Sequence, residues 1–314
     1  MISIVTFLLT LTLAAPSVLA EQESYNNWLT HAIEIGDLQI SDKVHRNTGT
    51  EDTPPTLLSP VAADDILCTI PLSSVLTSSS AASHPALQQV LAQEEIRTIT
   101  TSTVTLALVM MYEKSLGKDS KWSEMLANLP EFSASTVYWP QTDLVLLNGT
   151  AAFSKTVERV AALASMHKSL QPFMSPIFET FELNDFVFFV TTIFARSVPA
   201  QGESSSMPLM LPFVEALPRA VRATTRVEVR EEDGKPIFVL LANQEMKAGE
   251  VLTFATTGTT NTDLLLNTGQ FIMGNPAHGI PFSIRLPSTD PHVDMKLKVL
   301  SQLNLTQTTE FIIR

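Results

Sequence analysis

Six histidines and one cysteine are the side chains from which a metal or nucleophilic centre would be assembled, and neither is arranged for it. His31, His45, His84, His167, His278 and His292 show no metal-ligand spacing, and each reads as a surface residue rather than a ligand. Cys68 lies inside the apolar run Ile66-Leu67-Cys68-Thr69-Ile70 and reads as a buried strand residue, not a nucleophile. A lone cysteine also excludes an internal disulfide and a cysteine-rich zinc site. The phosphate-cradling loop, the dinucleotide glycine fingerprint, His-Glu-x-x-His and Gly-x-Ser-x-Gly are all missing. Any chemistry must therefore come from residues whose meaning depends on the elements around them.

Composition narrows the classes. The chain has 314 residues, of which 45% are hydrophobic and 17% charged, enough apolar surface for one large domain or two smaller ones. The formal net charge of −12 argues against nucleic acid and anionic membranes as partners, and it is compatible with a basic peptide. Residues 1–20, MISIVTFLLTLTLAAPSVLA, carry no charged side chain. Their apolar stretch is short for a membrane span and reads as a signal peptide, with Val18-Leu19-Ala20 as the cleavage site. An N-terminal core helix or a plastid-type leader is the alternative. Asn148-Gly149-Thr150 and Asn304-Leu305-Thr306 are glycosylation sequons if the chain enters the secretory route.

The elements follow from periodicity and turn residues. Tyr25, Trp28, Leu29, Ala32 and Ile33 predict a helix that Gly36 ends, and residues 36–60 read as short strands and turns. Ile66–Pro71 predicts a strand, 100–116 a helix stopped by Gly117, and 121–170 mostly helix. Within that last stretch Phe153, Val157, Val160, Ala161 and Ala164 form a predicted apolar face. Asn184-Asp185 opens an apolar segment, and AQGESSS at 200–206 reads as a flexible loop. Residues 224–241 predict a hairpin turning at Asp233-Gly234, and Lys247-Ala248-Gly249-Glu250 a second turn. Trp122, Tyr138 and Trp139 read as packing residues.

The order of these pieces resembles the SET-domain protein methyltransferases of the Rubisco large-subunit and actin-histidine type. Asp64-Asp65-Ile66-Leu67 with Ile70-Pro71 resembles the strand that ends in the family's Ile-Pro pair. Glu113-Lys114, Gly117, Ser120-Lys121-Trp122 and Leu129-Pro130 resemble its most specific segment. Leu147-Asn148-Gly149-Thr150, the helix ending at Ala195-Arg196, and Leu211-Pro212 follow in order. Ala248-Gly249-Glu250, Asn261, Leu264-Leu265, Gly269 and Asn275-Pro276 complete the series, which covers about residues 25–285.

The resemblance implies an α+β fold: a SET-type β-sheet core with a helical insert and a truncated C-terminal extension. It divides the chain into a signal peptide (1–20), two parts of the core (21–84 and 186–288), a helical insert (85–185) and the remnant of a substrate-binding domain (289–314). It also implies S-adenosylmethionine as cofactor, if the chain is active, and a protein or peptide as partner, with no metal.

Three elements of the family's site are altered. Its Gly-x-Gly loop corresponds to Asn47-Thr48-Gly49-Thr50, with only Gly49 available for close backbone approach. Its cofactor-binding Asn-His pair corresponds to Pro218-Arg219, and proline has no N–H to donate. Its catalytic tyrosine corresponds to Thr256. Arg196 matches the cofactor-side arginine, with an ordinary helix-end ion pair as its other reading. No catalytic residue is assigned, and Gly49, Arg196 and Arg219 are the candidate cofactor contacts. Losses of this kind favour a protein- or peptide-binding module with lost or weak catalysis. The alternative is a working protein-lysine (or histidine) N-methyltransferase with an altered site.

Overall fold

In the computed structural model, residues 38–45, 54–127, 129, 134–199, 207–255, 260–277, 279–303 and 308–313 are described. The opening helix, the leader, the 200–206 loop, Gly49 and Thr256 lie outside them.

Short strands β1 (Gln39–Ile40), β2 (Val44–His45) and β3 (Thr56–Leu57) precede β4 (Ile66–Pro71). Helices α1 (Pro85–Leu91), α2 (Glu94–Ile99), α3 (Ser102–Ser115), α4 (Ser123–Ala127), α5 (Gln141–Leu144), α6 (Ala151–Met174) and α7 (Leu183–Arg196) follow. The chain then returns to strands: β5 (Val198–Pro199), β6 (Pro208–Leu209), β7 (Arg219–Ala220), β8 (Thr225–Glu232), β9 (Lys235–Ala242) and β10 (Phe254–Ala255). Helix α8 (Asn261–Thr268), β11 (Ile280–Arg285), α9 (Val293–Gln302) and β12 (Thr308–Ile313) complete it. No helix among the described residues is long and apolar enough to cross a membrane.

The main sheet has the order β1-β4-β9-β8, with every neighbouring pair antiparallel. The β8–β9 hairpin turns through Asp233 (φ 51°) and Gly234 (φ 73°), the two positive values a tight two-residue turn demands. Between β4 and β9 the register slips, so that Leu67 is an extra residue on β4. Leu67 and Cys68 are both fully buried there, and burial pushes the Cys68 thiol pKa far up, which removes it as a nucleophile.

Two apolar cores result. One lies among the helices, around α3, whose residues Leu106–Met110 are wholly buried. The other lies on the sheet and joins Leu67, Ile70 and Leu240 to Leu211, Phe213 and Val214. Antiparallel bridging of Leu76 to Met210 connects the strand region to the helical one.

The motif Glu113…Ser120-Lys121-Trp122 is a structural clasp. Glu113 Oε1 lies 2.5 Å from His84 Nε2, and Ser120 Oγ donates to Glu113 Oε2 at 2.6 Å. Trp122 then donates its backbone N–H to Ser120 Oγ (3.1 Å) and its indole N–H to the Ser74 carbonyl (3.2 Å). Glu113 is only 2% exposed, so its charge is tolerated because both oxygens are bonded. This corrects the surface reading of His84, which is partly buried against Tyr112 with ring centroids 4.7 Å apart. His167 is likewise drawn inward, stacked on Phe181 at 4.6 Å.

Helix α6 is a second correction. Its buried line is Ala152, Thr156, Val160, Leu163, Leu170 and Met174, which shares Val160 with the predicted face and leaves that face's other residues half-buried. Thr156 turns inward because its hydroxyl bonds the Ala152 carbonyl and the Thr136 hydroxyl, both at 2.7 Å. Removing the carboxylate by Glu113→Ala leaves His84 and Ser120 without their buried partner. It lowers stability by about 3 kcal/mol, read as a fall in urea midpoint at unchanged slope.

Candidate functional site

The site forms where α7 ends against the chain crossing of β7 and β10. Helix α7 stands because Phe186, Val187, Phe189, Val190 and Ile193 bury one broad face. It stops at Ser197, where the backbone turns extended into β5. The segment after β6 runs through buried Leu211, Phe213, Val214 and Glu215. Phe213 holds φ 68°, a strained value for a side chain of that size.

Arg196, in the last turn of α7, donates from Nη1 to the Glu215 carbonyl at 2.7 Å. The same nitrogen is 3.6 Å from Glu215 Oε2, and the two side chains are 13% and 3% exposed. Of the two sequence readings of Arg196, the structure shows an ion pair, and a buried one. Glu215 is a site residue that motif reading overlooks. Its signal is in the sequence: it stands three residues after Pro212, where the family segment carries aspartate.

Strand β7 pairs in parallel with β10, Arg219 opposite Phe254 and Ala220 opposite Ala255. The Phe254 N–H donates to the Pro218 carbonyl at 2.9 Å, so Pro218 takes part only as an acceptor. Arg219 Nη2 donates to the carbonyls of Arg196 (2.6 Å) and Ser197 (3.2 Å), the last of α7. Its guanidinium also lies 4.9 Å from the centre of the Phe254 ring, within cation–π reach. Burial pulls the Arg219 pKa down to about 10, Arg196 pulls the same way, and Glu215 opposes them. At neutral pH the guanidinium stays charged.

These residues border a cleft of about 480 Å³. Phe194, Val198, Leu209, Phe238, Phe254 and Leu264 give it apolar walls, and Arg219, Arg226, Asn243 and Asn267 contribute the larger polar groups. Of the sequence candidates, Arg219 lines the cleft, and Arg196 stands beside it, its carbonyl accepting from Arg219 Nη2. Ala255, the residue before Thr256, is on the cleft wall. Among the described residues no group of three His, Cys, Asp or Glu is placed to hold a metal.

The retained asparagines and glycine serve geometry. Asn261 Nδ2 donates to the Ile272 carbonyl (3.0 Å), while Asn261 Oδ1 accepts from Ile272 N (3.2 Å) and Asn275 Nδ2 (3.1 Å). Gly269 caps α8 at φ 71°, and a Cβ there would lie 2.1 Å from the Ala134 carbonyl oxygen. Only glycine fits.

No family model matches the sequence. Among characterised proteins, the ribosomal lysine N-methyltransferase set10 of Schizosaccharomyces pombe is 26% identical over 204 residues, 63% of this chain and 36% of that one. The chloroplastic Rubisco large-subunit N-methyltransferase of Nicotiana tabacum is 24% identical over 232 residues (67% and 45%). That of Pisum sativum is 22% identical over 221 residues (66% and 45%). The chain thus spans less than half the length of these relatives. The SET domain of LSMT bound to lysine and AdoHcy superposes with a TM-score of 0.76 at 20% identity, covering 95% of this chain and 68% of that one. Rubisco LSMT bound to AdoMet gives 0.77 at 20%, covering 96% and 67%. The fold is a SET domain, and the sequence is similar, at 22–26% identity, to the lysine N-methyltransferase set10 and to the Rubisco large-subunit N-methyltransferases.

Helix α8 carries Leu264, Asn267 and Thr268 to the cleft, and Asp263 ties it down. Partial burial works against that carboxylate, but hydrogen bonds from Lys155 Nζ (2.8 Å) and Thr260 Oγ1 (2.7 Å) hold its pKa below the ordinary 3.8. A lowered folded-state value means stability that is present above the unfolded pKa and lost as pH falls through the folded one. Asp263→Asn therefore destabilises at neutral pH, and the gap from wild type closes below about pH 4, as urea midpoints across pH 2–7 will read.

Proposed function

We propose that this SET-domain protein has lost or weakened methyl transfer and acts as a protein- or peptide-binding module. One observation carries the reading: Arg219 spends its guanidinium on the two carbonyls that end α7. Methyl transfer needs donor and acceptor held in line, about 3 Å apart, in a channel of backbone carbonyls closed by an aromatic hydroxyl. It also needs a neutral amine, which free lysine is not at pH 7. Here the two carbonyls at the end of α7 are already engaged by Arg219, and a threonine, Thr256 at the tyrosine position, is too short to replace a phenol.

The structures of LSMT hold AdoMet or AdoHcy. The residues of this cleft do not fit such a sulfonium cofactor. Its described wall contains neither aspartate nor glutamate, so the sulfonium and ammonium groups find no carboxylate there. Pro218 cannot donate where the family uses asparagine. Calorimetry of the purified protein with S-adenosylmethionine should give no binding heat up to millimolar ligand, and labelled methyl groups should not reach any polypeptide. Micromolar binding together with transfer would restore the enzyme.

The same proposal places the chain in the secretory lumen or outside the cell. Support comes from the uncharged, apolar residues 1–20 and from exposed Asn148 in its sequon. S-adenosylmethionine is made in the cytosol, so loss of catalysis and export are mutually consistent. Sequencing the mature N-terminus should begin at Glu21, and a mature chain that retains residues 2–20 overturns this part.

A further inference from the structure

The cleft is the place where this acidic chain has no acid. The whole sequence carries 32 Asp and Glu against 20 Lys and Arg, yet the described wall holds Arg219 and Arg226 and no carboxylate. Arg226 is neutralised from behind, by Asp64 at 2.6 Å and Glu228 at 2.9 Å. Glu215 is the close carboxylate of Arg196. Arg219 therefore has no carboxylate of its own within ion-pair distance among the described residues. Its Nη2 is committed to the helix-end carbonyls, while Nε and Nη1 make no hydrogen bond there. A cation so placed, beside apolar walls that exclude water, gains most from an incoming anion.

The sheet supplies the second half. Strand β8 is an edge of the main sheet; its first residue, Thr225, donates its N–H to the Thr253 carbonyl (3.1 Å), and beyond Thr225 no strand among the described residues pairs along its outer side. Thr225, Val227 and Val229, alternate residues of β8, all line the cleft. An extended peptide laid beside such an edge satisfies its free main-chain groups and sends alternate side chains into the cleft.

We propose that the cleft selects a peptide carrying an aspartate or glutamate, whose carboxylate meets Arg219 and whose neighbours rest on the apolar wall. The selectivity is the reverse of a lysine channel, because the two carbonyls beside Arg219 are occupied and its remaining donors seek an acceptor. The inference rests on the binding-module reading and names its ligand.

The test is affinity selection of a randomised octapeptide library on the full chain, read by mass spectrometry. Retained peptides should share Asp or Glu at one fixed position. Changing that residue to the amide should weaken binding about tenfold or more, as expected for losing a charge-assisted hydrogen bond. Arg219→Gln should abolish the acidic preference, and Arg219→Lys should keep part of it. The amide substitution in the peptide reads the same contact on unaltered protein, should the Arg219 variants fail to fold. Enrichment of lysine, or of no charge, overturns the inference and leaves the binding module standing. Retention of no peptide at all overturns the binding module and the inference with it.

Discussion

A guanidinium seated on the carbonyls that end α7 governs what this cleft can accept. Everything around it is arranged to hold that position. Parallel pairing of β7 with β10 brings Arg219 beside Phe254, and the aromatic face partly repays the desolvation of the charge. The buried Arg196–Glu215 pair leaves a second cation next to the first. Two buried arginines with one close carboxylate form an arrangement that costs stability on its own, as the lowered Arg219 pKa records. A fold keeps such a cost where a site needs the charge.

The scaffold under this site retains the family's motifs, with packing as their visible role. Glu113, in the last turn of α3, and Ser120 and Trp122 after it tie that helix end to Ser74 and His84. Asn261 and Asn275 stitch α8 to the loop that follows it, and Gly269 lets that loop pass Ala134. Buried hydrogen-bonded groups cannot be exchanged singly without leaving an orphan.

Much of the architecture was legible locally. The strand Ile66–Pro71, the hairpin turning at Asp233-Gly234 and the helix ending at Arg196 rest on period and turn chemistry, which neighbouring residues decide. The face of α6 was not legible. A threonine counts as polar in any pattern, and Thr156 is buried only because Thr136, twenty residues away, offers it a hydroxyl. His84 was misread for the same reason, since Glu113 lies 29 residues on.

By itself, the sequence determined the order of elements and the SET resemblance, and with it the expectation that Pro218-Arg219 stand where the family has its Asn-His pair. Those are matters of which residue stands where. Only the tertiary structure decided what Arg219 does there. Its partners, the carbonyls of Arg196 and Ser197 and the ring of Phe254, come from segments that meet only when β7 and β10 pair. The sign of charge in a cleft is set by which side chains converge on it. That convergence is a property of the folded chain, and an overall charge of −12 gives no hint of it.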